Sequence, residues 1–154
     1  MKKVLKISLA ISLFTFVTLI MSSMQAQSVV GKWKTVDDDT GKAKSILEIY
    51  EQGGKYYGKV VEIFREPDED PDPLCDKCDE DDPRYKQKVR GMIIMKDLEQ
   101  DKNNKNLYED GNILDPENGS VYSCYIELQS ADKLKVRGFL GFSLLGRTQY
   151  WYRQ

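Results

Sequence analysis

The chain has no histidine among its 154 residues. That absence removes Ser-His and Cys-His nucleophile pairs together with the commonest zinc ligand. Cysteine is scarce at three residues, and four of the five prolines crowd into positions 67–83. Beyond the first 26 residues no stretch repeats its apolar positions with a helical period, so an all-helical or α/β fold is not expected. Basic clusters are missing as well, which excludes nucleic acid as a partner. Without histidine or a strand-turn-helix site, only carboxylates, tyrosines and Cys75/Cys78 are left as catalysts. No catalytic residue, resident metal or cofactor is assigned, and an enzyme is not the expectation.

The amino terminus carries a targeting pattern. Lys2, Lys3 and Lys6 precede an uncharged apolar run from Ile7 to Met21, and Ser22-Ser23-Met24-Gln25-Ala26 follows. A run of about 15 residues is shorter than the roughly 20 that span a bilayer. It reads as a signal peptide cleaved after Ala26, hence export to the periplasm or beyond; an uncleaved anchor is the alternative. No cysteine lies at that junction to take a lipid. Residues 27–154 form one domain-sized unit of 128 residues with 20 basic and 25 acidic side chains, a net charge near −5.

In this unit apolar and polar residues alternate with period two. Val29–Val36, Ser45–Glu51, Tyr56–Arg65, Val89–Leu98, a short piece near Gly111, Ser120–Gln129, Lys133–Phe139 and Arg147–Arg153 read as strands. Gln52-Gly53-Gly54-Lys55 and Asp115-Pro116-Glu117-Asn118-Gly119 supply the residues that tight turns demand. About eight strands joined mostly by short turns make a meander. Closing it removes both edges, so the expected fold is all-β: a single antiparallel up-and-down barrel, with an open sandwich as the alternative. The exception to short turns is residues 66–88, a long loop with ten acidic side chains between Glu66 and Asp82. Long loops in small domains are frequently functional.

Gly31-x-Trp33 in the first strand, with an arginine late in the last, resembles the calycin signature shared by lipocalins, fatty-acid-binding proteins and avidins. The resemblance implies that Trp33 lies across the closed end of the barrel with Arg147 or Arg153 over its face, a cation–π contact. Gly31-Lys32-Trp33-Lys34-Thr35, Ile49-Tyr50, Gly58-Lys59-Val60-Val61, Cys75-x-x-Cys78, Ile113 to Gly119, Gly138 to Phe142 and Gly146 to Trp151 together look like the family catalogued as domain of unknown function 2147. It comprises small exported bacterial proteins and implies a β-barrel without an established activity.

Four features are candidates for function. Cys75-Asp76-Lys77-Cys78 reads as a structural disulfide in an oxidising compartment, with a redox dithiol and a zinc site completed by Cys124 and an Asp as alternatives. Asp37-Asp38-Asp39 and the acidic residues from Asp68 to Asp82 offer oxygen ligands but lack the spacing of a recognised calcium loop, so they read as solvated charge. Trp33, Tyr50, Phe64, Phe139 and Trp151 are candidate contacts for a small apolar or amphipathic ligand inside or at the mouth of the barrel. Equally, they fit a filled core. The turn Gly141-Phe142-Ser143-Leu144-Leu145-Gly146 is unusually apolar. Exposed, it suits a membrane surface or an envelope protein; tucked under the barrel, it suits neither. Oligomeric state is not encoded in any of these features.

Overall fold

A computed structural model describes residues 27–38 and 40–154. The expected signal peptide lies outside these residues. Eight strands follow one another: β1 (Gly31–Val36), β2 (Ala43–Gln52), β3 (Lys55–Ile63), β4 (Ile93–Gln100), β5 (Leu107–Leu114), β6 (Val121–Ser130), β7 (Lys133–Phe139) and β8 (Gly146–Arg153). Each pairs antiparallel with its chain neighbour, and β8 pairs back onto β1 to close a barrel. The open sandwich is thereby excluded.

Pleating sorts the side chains. Leu134 and Val136 of β7 point inward and are buried, whereas Lys133, Lys135 and Arg137 point outward. Cys124, Ile126 and Leu128 of β6 do the same opposite them. On β4 and β5 the alternation is interrupted where Asp97 and Asp110 adopt φ of 62° and pairing skips from Lys96↔Asn112 to Glu99↔Glu109. Here Leu98, fully buried, lies over Gly111; a Cβ on Gly111 would come within 2.5 Å of it.

Val89 and Met92 were expected within the fourth strand, yet the strand begins at Ile93. Both are buried in the connection before it, where the Gly91 amide bonds the Val60 carbonyl at 2.7 Å with Gly91 at φ +88°. Their apolar character serves the packing of the long loop rather than the ladder.

Candidate functional site

One end of the barrel is plugged. Trp33 is fully buried and its Nε1 donates to the Val29 carbonyl at 2.7 Å. The Arg153 guanidinium sits 4.2 Å above the indole ring and donates to the carbonyls of Ala131, Val30 and Ser28 at 2.6, 3.2 and 2.7 Å. Gly31 makes room for it: φ is +132°, and a Cβ there would lie 2.9 Å from Arg153 Nη1. Of the two arginines proposed for this contact, Arg153 fills the role. Arg147 lies at the other end, paired with Asp38 at 2.6 Å.

The other end opens into a cavity of about 900 Å³, within the range of small-ligand sites. Trp151 forms part of its inner wall, and Phe64 and Phe139 stand at its rim. Trp33 belongs to the plug instead, and Tyr50 stacks on Tyr57 of β3 with ring centroids 5.7 Å apart. Tyr50 alternates with Leu47 and Ile49, which are buried, and so faces outward. Phe139 likewise alternates with inward Gly138 and lies 6.5 Å from Tyr125. The five aromatic candidates therefore do not converge on one point. Residues that the aromatic pattern did not reveal, Thr35, Ser45, Ile63, Ile94, Ile113 and Gln149, line the cavity beside the aromatic Tyr122. Gln149 could have been found, because it shares a face with Trp151 in the alternation of β8.

The long loop between β3 and β4 folds across part of this mouth. Pro73, Leu74, Asp76 and Lys77 line the cavity. A disulfide joins Cys75 to Cys78, and both residues are buried. Joined to each other, these sulfurs do not supply the thiolates of a zinc site, and among the described residues no three Cys, Asp or Glu side chains converge as metal ligands. The Cys75 sulfur approaches the Pro116 carbonyl at 3.8 Å, and Lys44 of β2 bonds Glu117 at 2.6 Å. At Gly119 the loop and the 115–119 turn touch backbone to backbone: a Cβ would fall 1.7 Å from the Lys77 carbonyl oxygen.

Asp82 fastens the loop's far side. Its carboxylate accepts from Arg84 Nε and Nη2 at 2.9 and 2.6 Å, and Arg84 Nη1 reaches the Ile93 carbonyl at 3.4 Å. The Arg84 hydrogen bond holds the Asp82 pKa at about 2, below the ordinary 3.8. A carboxyl whose folded pKa is depressed stabilises the fold above its unfolded pKa and loses that contribution as pH falls through the folded one. Asp82 is thus expected to contribute about 2 kcal/mol at neutral pH, lost between roughly pH 4 and 2. Chemical denaturation across that interval checks it: Asp82→Asn should be less stable than the parent at pH 6 and nearly equal to it at pH 2.

Cys124 is free and buried on the inner face of β6, where desolvation pushes its thiol up to about 12. A thiol so held is unreactive at neutral pH. Thiol titration is expected to count no reactive group in the oxidised folded protein and one per chain in denaturant; three would mean that the Cys75–Cys78 bridge is absent.

The apolar turn after β7 is exposed. Leu140, Phe142, Leu144 and Leu145 are 62%, 79%, 89% and 75% accessible. Arg137 holds the turn in place, donating from Nε to the Ser143 carbonyl at 2.7 Å and from Nη2 to that of Leu144 at 3.2 Å. Leu140 and Leu145 reach the cavity mouth.

A protein of Helicobacter pylori, HP1028, described as belonging to the lipocalin family, has a similar structure, with a TM-score of 0.67 over 82% of this chain and 83% of that one. The two are 20% identical, so the likeness is one of fold. No curated protein matches the sequence. Residues 31–153, from the glycine beneath Arg153 to Arg153 itself, match the family described as an uncharacterized protein conserved in bacteria, DUF2147. The chain is therefore a member of the DUF2147 family, built as a lipocalin-like eight-stranded barrel.

Proposed function

We propose that this protein is an exported carrier that binds one small apolar or amphipathic molecule in the open half of its barrel. The observation that carries the reading is the cavity of about 900 Å³ above Trp151; a barrel evolved only as a rigid module would fill that space with side chains. The disulfide in the mouth loop and the cationic, then apolar, amino terminus support residence outside the cytoplasm.

Fluorescence of N-phenyl-1-naphthylamine, an uncharged solvatochromic probe, tests the reading. Saturable enhancement at one probe per chain is expected. Gly138→Leu should weaken it about tenfold or more, because residue 138 lines the cavity and an added Cβ meets only ordinary contacts, the nearest at 3.5 Å from Tyr122. Thermal unfolding of the variant controls for folding. A probe that stays dark, or a signal indifferent to Gly138→Leu, would sink the proposal.

The exposed turn favours a second reading, in which the barrel contacts an envelope component through residues 140–145. Replacing Phe142 and Leu144 by serine should then release the protein from isolated envelope fractions without altering probe affinity.

A further inference from the structure

The walls of the cavity differ in chemistry from one side of the barrel to the other. Strands β8, β1 and β2 are consecutive around the closed sheet, and they supply Arg147, Gln149, Thr35 and Ser45 to the lining, with Trp151 and Leu47 below them toward the plugged end. Strands β3 to β7 complete the circle with Val60, Ile63, Ile94, Ile113, Tyr122 and Val136. In the layer where Ser45 pairs with Ile63, polar groups thus occupy one continuous sector of the strand wall and apolar groups the opposite one. Deeper, where Leu47 pairs with Val60, both sides are apolar, and at the mouth the loops add Asp76, Lys77, Asp115 and Glu117.

The polar sector is already ordered. Asp38 accepts from Arg147 Nε at 2.7 Å and from Gln149 Nε2 at 3.2 Å, and Gln149 Oε1 accepts from Trp151 Nε1 at 3.3 Å. One strand over, the Thr35 and Ser45 hydroxyls bond each other at 2.8 Å. These contacts fix the groups without exhausting them. The Gln149 amide keeps a second N–H, and each hydroxyl keeps acceptor capacity. A flexible chain with a single polar head would leave most of this stripe facing hydrocarbon, and unpaired polar groups against an apolar ligand are penalised.

We propose that the cavity is shaped for a facially amphipathic ligand: a fused-ring or similarly rigid skeleton with hydroxyl or carbonyl groups along one face and hydrocarbon on the other. Its polar face lies against β8, β1 and β2, and its apolar face against β3 to β7. The inference rests on the carrier reading above and sharpens the class of molecule carried.

Competition against bound N-phenyl-1-naphthylamine separates the two. Cholate carries three hydroxyls on one face of a four-ring skeleton, 5β-cholanate has the same skeleton without them, and dodecanoate is a linear chain with the same carboxylate. Cholate is expected to displace the probe at a concentration about tenfold lower than 5β-cholanate, although it is the more water-soluble of the pair. That preference should shrink to near unity in Gln149→Leu and, independently, in Ser45→Ala, which removes a hydroxyl without adding bulk. The wild-type comparison stands even if Gln149→Leu fails to fold. Equal or tighter binding of 5β-cholanate or dodecanoate overturns the facial assignment while leaving a general apolar carrier intact. Failure of the probe itself to bind overturns the carrier reading, and this inference with it.

Discussion

Truncation of Trp33 to alanine is expected to destabilise the barrel by about 3–5 kcal/mol, the cost of emptying a buried aromatic site. The residue is fully buried, and its ring is the surface on which Arg153 rests at 4.2 Å. Removing the ring also leaves the Val29 carbonyl without its indole donor. In a domain of this size the loss amounts to a melting temperature lower by roughly 10 °C or more. Arg153→Ala should cost less by itself. In a double-mutant cycle the pair should couple by about 0.5–2 kcal/mol, the value of a cation–π contact. Denaturant titration of the four proteins measures both quantities. A Trp33→Ala loss below about 1 kcal/mol would mean that the plug is not where the barrel's stability resides.

Gly119→Ala is the second substitution with a large expected effect, and it acts at the opposite end. The new Cβ would stand 1.7 Å from the Lys77 carbonyl oxygen and 2.4 Å from its carbon, in a backbone at φ +77°. Neither neighbour is a flexible side chain, so relief requires the 115–119 turn and the mouth loop to part. Gly141→Ala supplies the control, since φ there is +70° and an added Cβ meets nothing within 4 Å. The control should show only the left-handed backbone penalty of about 1 kcal/mol, and Gly119→Ala about 3 kcal/mol or more. Hydrogen exchange locates the difference. The amides of Cys75, Lys86 and Val89 bond the carbonyls of Gln87, Cys75 and Pro73 within the loop. They should lose protection in Gly119→Ala and keep it in Gly141→Ala. Equal stability of the two variants would show that loop and turn are not latched.

Most strands were readable because a barrel with one wet face imposes period two on them; β4 and β5, where Asp97 and Asp110 interrupt the alternation, were placed less well. Lys133–Phe139, the strand with the cleanest alternation, has the same limits in sequence and structure. The plug was readable through resemblance: a glycine two positions before a tryptophan, with an arginine on the last strand, is the calycin signature, and the stacked arrangement is what that likeness implied. Choosing between Arg147 and Arg153 needed the pairing of Trp33 with Arg153 across the seam. The cavity was less legible. Aromatic residues draw attention by size, but the pleat assigns them to faces: Tyr50 goes outside with Tyr57, whereas Gln149 goes inside with Trp151. A bulge at Ile46/Leu47 changes which residues of β2 and β3 share a face, bringing Ser45 opposite Ile63. The contact between Gly119 and Lys77 joins segments some forty residues apart and leaves no periodic trace.

The seam between β1 and β8 is narrow. Its paired residues are Trp33 with Arg153 and Lys34 with Tyr152, joined by a bond from the Gln154 amide to the Lys32 carbonyl at 3.0 Å. Every other neighbouring pair in the barrel forms from strands adjacent in sequence, all but β3 and β4 through short connections that are quick to close; this one joins strands more than a hundred residues apart. Seven strands can therefore assemble as a curved sheet while the barrel stays open, with β1 an unprotected edge until β8 arrives. Closure becomes a late, slow event in folding, and the nascent chain's exposure to edge-to-edge association lasts until its final strand is available.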